Sequence, residues 1–221
     1  MYAGKHEEDA MNESNLRAAL TATARQTVSQ GLNKGSSGNV SVRSGDGFLI
    51  TPSGLPNDTL QPEQMVFIDM EGQASGSLKP SSEWRIHRDI YRARLEVNAI
   101  VHAHSSHAVS LSCLRQGIPA FHYMVAAAGG KDIRCADYAT FGTQALSNAV
   151  LVALQDCRAC LMANHGQVAV GASLDAALSL AVELEELCAQ YWRAKLMGEP
   201  VLLSDAEMDE VLEKFKHYGQ G

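Results

Sequence analysis

The chain has 221 residues, of which 46% are hydrophobic and 19% charged, and its formal net charge is −7. This length suits one sizeable domain, and the composition is that of a globular rather than a disordered protein. The negative charge disfavours a nucleic-acid-binding surface, which needs clustered Lys and Arg. It does not disfavour a phosphorylated small molecule, because backbone N–H groups at a helix start can bind phosphate.

The sequence shows no sign of a membrane span or of secretion. No apolar run approaches the roughly 18 residues that cross a bilayer. The N-terminal segment is polar, without the hydrophobic stretch of a secretory signal, and the five Cys have no disulfide-framework spacing. We therefore expect a cytoplasmic protein with no membrane partner. We expect residues 1–12 to form a disordered leader and residues 13–221 to form a single domain.

Hydrophobic periodicity and turn residues predict a mixture of helices and short strands. In chain order the predicted elements are a helix at 16–28, strands at 40–43, 48–51 and 65–69, a helix from 80 to 94, a strand at 99–103, helices at 107–115 and 143–154, strands at 159–163 and 168–171, a helix at 174–197 and a last helix from 204. Regular strand–helix alternation is missing, and two hairpins are predicted. We expect an α/β fold, one layered domain with a mostly antiparallel central sheet and helices on its faces.

The His residues suggest a metal site. His102 and His104 stand two apart at the end of an apolar strand, so their side chains project from the same face. His165, in an Asn-His-Gly turn, is a candidate for a third imidazole, and Glu83, at the first turn of a helix, for a carboxylate. Three His with a carboxylate or an open position is a catalytic zinc arrangement. An isolated HxH is more often a pair of ordinary histidines, and we expect the remaining His residues to have structural or supporting roles.

Three short segments are candidates for binding phosphate. They are Ser36-Ser37-Gly38-Asn39, Thr51-Pro52-Ser53-Gly54 and Pro80-Ser81-Ser82. Each offers backbone N–H groups and hydroxyls, although none has the spacing of a P-loop or a dinucleotide fingerprint. Each one alone is more often a plain turn, so these segments do not decide the function by themselves.

Taken together, the motifs resemble the class II aldolase/adducin family over about residues 15 to 218. The stretches that carry this resemblance are GNVSVR (38–43), LITPSG (49–54), PSSEWR (80–85), HAH (102–104), HYMVAAAGG (122–130), YATFGT (138–143), NHG (164–166) and VLEKF (211–215). Several of them are long and specific.

The resemblance implies a reversible aldolase that cleaves a ketose 1-phosphate into dihydroxyacetone phosphate and an aldehyde. It implies Zn²⁺, or another divalent metal, held by Glu83, His102, His104 and His165 and acting as a Lewis acid. Glu83 would also exchange the proton at C3, and Tyr123 of a neighbouring subunit would act at the C4 oxygen. The residues implied to hold the phosphate are Gly38, Asn39, Ser53, Gly54, Ser81 and Ser82. A homotetramer with active sites between subunits is also implied, and Tyr218 matches a tail tyrosine that contributes to the site.

The substrate stays open among several sugar phosphates. L-Fuculose 1-phosphate, which gives L-lactaldehyde, is the first choice, and 5-deoxyribulose 1-phosphate and 5-methylthioribulose 1-phosphate are alternatives that share the same metal and phosphate site. A pentulose-5-phosphate 4-epimerase is less favoured, since those enzymes carry Asp rather than Glu-Trp after Pro-Ser-Ser. A non-catalytic scaffold of the adducin type is disfavoured because such proteins lack the four candidate ligands. A structural or storage metal is the remaining alternative.

Overall fold

The computed structural model describes the backbone of residues 2–217 and the side chains of residues 12–217. Its helices are α1 (Tyr2–Ser29), α2 (Trp84–Ala93), α3 (Ser106–Ser112), α4 (Gln144–Ala153), α5 (Leu174–Met197) and α6 (Asp205–Phe215), with 3-10 turns at Pro62–Gln64 and Tyr123–Ala128. Its strands are β1 (Asn39–Ser44), β2 (Gly47–Ile50), β3 (Val66–Asp69), β4 (Ala74–Ser75), β5 (Ala99–Ala103), β6 (Cys135–Ala136), β7 (Ala159–Met162) and β8 (Gly166–Gly171).

The eight strands form one sheet in the order β4-β3-β2-β1-β5-β8-β7-β6. All neighbouring pairs in the described sheet are antiparallel except β6 and β7, which are parallel. The predicted mostly antiparallel α/β fold is therefore confirmed. Strand β5 lies at the centre between β1 and β8, with His102 opposite Asn39 on one side and opposite Val168 on the other.

Helices cover both faces of the sheet, and each face has its own apolar core. Alternate residues of β5 enter different cores: Val101 packs in the core beneath α1, α3 and α5, and Ile100 in the core beneath α2 and α4. His102 is two residues after Ile100 and so faces the α2 side. This alternation directs a fully buried imidazole toward the start of α2.

Several element boundaries differ from the predicted ones. Helix α2 begins at Trp84 rather than at Pro80, because Pro80 bridges Pro52 and the Ser81 N–H donates to the Thr51 carbonyl at 3.1 Å, which holds this segment extended. The short strands β4 and β6 were not predicted, since two residues carry no detectable alternation. The bounds of α5 agree with the prediction at both ends.

A disordered leader was predicted for residues 1–12. The bounds of α1 reach Tyr2, but the side chains are described only from residue 12 onward, so the leader stays a prediction. In the described part of the chain, no helix is both long enough and apolar enough to pass through a bilayer.

Candidate metal centre and substrate cavity

The four predicted metal ligands come together. One ligand atom from each of Glu83, His102, His104 and His165 lies within 4.8 Å of all the others. Nε2 of His102 is 2.9 Å from Nε2 of His104 and 3.0 Å from Oε2 of Glu83. Nε2 of His165 is 3.2 Å from Oε1 of Glu83. The sequence is thus folded so that three imidazoles and one carboxylate point at a common centre.

The β7–β8 turn brings His165 to the end of β5. Asn164 has a φ of 54°, the left-handed conformation that Asn tolerates better than most residues, and this tightens the turn. Gly166 lies directly against β5: a Cβ at this position would be 2.3 Å from the Ala103 carbonyl oxygen. Glycine is therefore required for the close approach that places His165 beside His102 and His104.

The protonation pattern of His102 directs a lone pair at this centre. Its Nδ1 lies 2.8 Å from the backbone carbonyl of Gln167, which can only accept, so Nδ1 carries the proton. Burial and the neighbouring His102 lower the pKa of His104 to about 3 and that of His165 to about 4. Neutral imidazoles are the form in which His binds a metal.

The electrostatics of the cluster favour one positive charge at its centre. Burial acts to raise the pKa of Glu83, but His102, His165 and a hydrogen bond from Asn39 hold it well below its usual range. Burial likewise opposes a charge on His102, yet the Glu83 carboxylate raises the pKa of this ring. Oε1 of Glu83 is buried and accepts no hydrogen bond among residues 12–217. An orphaned carboxylate oxygen facing three imidazoles fits a bound divalent cation.

A cavity of about 410 Å³ opens beside these ligands. All six residues predicted to bind phosphate line it, together with Glu83, His104 and His165. The remaining residues of its wall are Ser36, Ser37, Pro52, Tyr138, Ala139, Phe141 and Asn164. No Lys or Arg is among the described lining residues, so a phosphate here would be held by neutral donors. The proposed metal site and the proposed phosphate site thus share one cavity.

The backbone of this cavity limits which groups can hold a phosphate. The N–H groups of Ser53 and Ser81 already donate to the carbonyls of Lys79 and Thr51, at 2.9 and 3.1 Å. The side-chain amide of Asn39 is also engaged, donating to Glu83 at 3.1 Å. The donors left are backbone N–H groups such as those of Gly38 and Gly54 and the serine hydroxyls other than that of Ser37, which already donates to the Lys34 carbonyl at 2.7 Å.

Two predicted site residues are not placed at this cavity. Tyr123 is 51% exposed at the start of the second 3-10 turn and is not among the described lining residues, so one chain alone does not bring it to the ligands. Tyr218 lies outside the described residues. His107 turns toward α5, where its Nδ1 lies 2.8 Å from Oε1 of Glu185.

Three residues support the ligands; sequence reasoning missed Asn33 and Gln167, and it expected only a structural or supporting role for His87. Asn33, buried after α1, accepts a hydrogen bond from the His104 N–H at 2.9 Å. The backbone carbonyl of Gln167 accepts a hydrogen bond from Nδ1 of His102 at 2.8 Å. His87, fully buried in α2, lies 2.5 Å from the Asn39 amide oxygen. For His87 the sequence did contain a signal, because it lies four positions after Glu83, the spacing at which side chains of a predicted helix are neighbours.

These features place the protein in a known class of enzymes and scaffolds: the chain belongs to the class II aldolase and adducin family. The family model described as the Class II Aldolase and Adducin N-terminal domain matches residues 18–192.

Within this family, curated relatives are named as aldolases. The chain is 56% identical over 204 residues, 92% of each chain, to the 5-methylthioribulose-1-phosphate/5-deoxyribulose-1-phosphate aldolase of Rhodospirillum rubrum. It is 46% identical to the L-fuculose phosphate aldolase of Escherichia coli K12, over 95% of this chain and 98% of that one. A solved structure described as L-fuculose 1-phosphate aldolase superposes with a TM-score of 0.88 at 40% identity, covering 91% of this chain and 96% of that one.

Proposed function

We propose that this protein is a zinc-dependent aldolase that reversibly cleaves a ketose 1-phosphate into dihydroxyacetone phosphate and an aldehyde. One observation carries the proposal: three members of the Glu83–His102–His104–His165 cluster, Glu83, His104 and His165, line a cavity that five serines also line, with His102 buried behind them. A scaffold protein needs no such cluster of converging ionisable groups, two of them buried. Zinc is the metal we propose because three imidazoles and a carboxylate are a ligand set it prefers.

The side chains of the cavity would divide the work between binding and proton transfer. Serine hydroxyls and the N–H groups of Gly38 and Gly54 would bind the phosphate and so fix the distance of the sugar carbons from Glu83. When bound, the metal supplies a Lewis acid that stabilises negative charge as the C3–C4 bond breaks. Glu83 would deliver a proton to C3 during cleavage and remove it during synthesis.

The aldehyde side of the reaction would require a second subunit. Tyr123 is exposed, and we propose that a neighbouring copy in a homotetramer presents it to the C4 oxygen. In synthesis its hydroxyl would give a proton to that oxygen, and in cleavage the phenolate would take the proton back. We also propose a cytoplasmic location, which suits a sugar phosphate substrate and five cysteines without a disulfide among the described residues.

For the substrate, the 56% identical relative moves 5-methylthioribulose 1-phosphate and 5-deoxyribulose 1-phosphate ahead of L-fuculose 1-phosphate, which the sequence alone put first. Tyr138, Ala139 and Phe141 in the same cavity support this order, because they offer apolar surface to a methyl or methylthio group. L-Fuculose 1-phosphate, with one more hydroxyl at that end, remains the second candidate.

The test is a cleavage assay on purified, zinc-loaded protein with all three sugar phosphates, measuring dihydroxyacetone phosphate with and without a chelator. We expect release that stops when the metal is removed and returns with zinc, with the highest kcat/KM for the two 5-deoxypentulose phosphates. Cleavage that persists after complete metal removal would contradict the proposal. A zinc-loaded protein that converts no ketose phosphate to dihydroxyacetone phosphate would do the same.

The proton-transfer role has a separate test in Glu83→Gln. We expect this variant to fold but to exchange the C3 proton of dihydroxyacetone phosphate with solvent roughly a hundredfold or more slower, a partial reaction that needs no aldehyde. Glu96→Gln is the control, because Glu96 is an exposed acid of the loop after α2 that pairs with Arg94. Exchange at the wild-type rate in Glu83→Gln would assign the proton transfer to another group.

A further inference from the structure

A chain of hydrogen bonds runs from Glu83 into the interior, away from the substrate cavity. Asn39 Nδ2 donates to Glu83 Oε2 at 3.1 Å, and Asn39 Oδ1 lies 2.5 Å from Nε2 of His87. Nδ1 of His87 lies 2.6 Å from the Ser41 hydroxyl, which lies 2.8 Å from the Tyr91 hydroxyl. All five residues are at least 94% buried. Water therefore has little access to compete for these groups.

The direction of every bond in this chain follows from its first member. An ionised carboxylate can only accept, so the NH₂ group of Asn39 must face Glu83 and its oxygen must face His87. Nε2 of His87 must then carry the proton, which leaves Nδ1 as an acceptor for the Ser41 hydroxyl. The Ser41 oxygen in turn accepts from Tyr91. Burial lowers the pKa of His87 to about 3, in agreement with a neutral ring that has one donor and one acceptor.

We propose that His87 is a positioning residue that, through Asn39, holds the Glu83 carboxylate in place for proton transfer. This inference rests on the proposed acid–base role of Glu83. His87 itself is absent from the described lining of the cavity and lies 2.5 Å from Oδ1, the one side-chain atom of Asn39 that can accept. Without this donor, the buried side-chain oxygen of Asn39 has no hydrogen-bond partner and the amide is held only at its Glu83 end, so the group that positions the carboxylate is itself no longer fixed.

His87→Leu and His87→Gln separate positioning from mere packing. Leu fills the space without a donor, whereas the Gln amide can donate from the position of Nε2 to Asn39. We expect kcat of His87→Leu to fall roughly tenfold to a hundredfold, as for other residues that orient metal ligands. KM for the sugar phosphate should change little, because the phosphate contacts are untouched, and His87→Gln should recover most of kcat. His107→Leu, at a His paired with Glu185 on α5, is the control.

A readout independent of activity is the hydrogen position on His87. Neutron diffraction from deuterium-exchanged wild-type crystals should show deuterium on Nε2 and none on Nδ1. Deuterium on Nδ1 would overturn the proposal, and so would a folded, metal-loaded His87→Leu with wild-type kcat. If His87→Leu does not fold, Ser41→Ala takes its place. Ser41→Ala removes the hydroxyl next to Nδ1 of His87, so the His87 ring is free to change tautomer. We expect kcat to fall severalfold at unchanged KM, and an unchanged kcat would overturn the proposal.

Failure of the proposed function gives a different pattern. A wild-type enzyme that cleaves no ketose phosphate overturns the aldolase proposal, together with the catalytic consequence drawn for His87. The deuterium position would then still decide the orientation of the Asn39 amide toward Glu83. If the wild-type enzyme cleaves ketose phosphates and His87→Leu has the same kcat, only the role proposed for His87 is overturned.

Discussion

Nε2 of His102 and Nε2 of His104 lie 2.9 Å apart. Because Nδ1 of His102 donates to the Gln167 carbonyl, the neutral His102 ring has a lone pair at Nε2 and not a hydrogen. Two imidazole nitrogens at this distance repel each other unless a proton or a cation is shared between them. The Glu83 carboxylate, 3.0 Å from Nε2 of His102, supplies the negative charge that attracts such a cation. This relationship is the physical basis of the proposed metal site.

The first prediction is that His104→Ala loses metal binding and aldol cleavage together. Removing one of three imidazoles opens the site, and zinc should no longer raise the melting temperature as it does for the wild type, because stabilisation by a ligand follows its affinity for the folded state. Bound zinc per subunit, thermal melting with and without zinc, and cleavage rate are the measurements. His107→Ala should keep all three values, since its ring contacts Glu185 on α5. Full activity in His104→Ala would end the metal assignment.

The second prediction concerns the subunit that supplies Tyr123. If the tyrosine crosses between neighbours, Tyr123→Phe and Glu83→Gln are each nearly inactive, but mixed assemblies contain some sites with both wild-type residues. Random exchange of equal amounts should restore roughly a quarter of wild-type activity in a cyclic oligomer with one neighbour contribution per site. The measurement is activity after unfolding and refolding the two variants together, with each refolded alone as the control. If the refolded mixture recovers no activity, either one subunit supplies both Tyr123 and Glu83 to a site, or Tyr123 is not part of the active site.

The third prediction concerns Gly38, which has a φ of 68°. An added Cβ would lie 2.4 Å from the side-chain nitrogen and oxygen of Asn33, which accepts a hydrogen bond from the N–H of His104. Gly38→Ala should therefore cost about 1 kcal/mol of unfolding free energy from left-handed strain and also lower kcat/KM roughly tenfold or more by shifting His104 and the phosphate donors.

Gly35→Ala is a matched control for Gly38→Ala. Gly35 has a φ of 58°, but nothing lies within 4 Å of a Cβ built there. It should show a similar loss of about 1 kcal/mol with kcat/KM close to wild type. Equal effects of the two substitutions on kcat/KM would mean that the contact with Asn33 does not matter for the site.

The fourth prediction is a pH dependence of stability at Asp89, which joins α2 to α4. Burial acts to raise its pKa, but hydrogen bonds from Ser147, Gln144 and Arg88 outweigh burial and lower the pKa below its ordinary value of 3.8. A carboxyl whose pKa is lower in the folded than in the unfolded state stabilises the fold. This stabilisation is complete at pH values well above 3.8 and is lost as the pH falls through the folded-state pKa.

The measurement is urea unfolding of wild type and Asp89→Asn between pH 7 and pH 3. We expect a constant difference in unfolding free energy from neutral pH to about pH 5, which then shrinks as the pH is lowered further. Loss of metal from the His ligands affects both proteins alike and cancels in the difference. Asp58→Asn, at an exposed position, serves as the control. A difference that does not depend on pH would show that Asp89 acts by shape rather than charge.

Local patterns in the sequence predicted much of the secondary structure. Helix α5 begins and ends where predicted because its ends are marked locally: the Ser173 side chain accepts from the Ala176 N–H, and Gly198 follows the last turn. Ser204 and Glu207 form a capping box at the start of α6, where the last helix was predicted to begin. Such signals involve residues three or four apart, so the sequence contains them directly.

The predicted start of α2 was wrong because a contact between distant segments, and not a local signal, decides where this helix begins. Pro80-Ser81-Ser82 has the composition of a helix start, but the segment stays extended because it bonds to residues 51 and 52, nearly thirty positions earlier. As a result Glu83 stands before the first turn instead of within it, with its carboxylate buried beside His102. A contact between distant segments decided this boundary and, with it, the placement of the proposed acid–base residue.

By itself, the sequence determined the strand that carries His102 and leads directly into His104, the turn at His165 and the hydroxylated segments, because strand alternation and turn chemistry are local. Only the tertiary structure decided that β5 lies between β1 and β8 and that Glu83 and His165 meet the strand histidines. It also decided that His87 lies behind Asn39. These placements depend on backbone hydrogen bonds and packing between segments far apart in the chain, which no short-range pattern encodes.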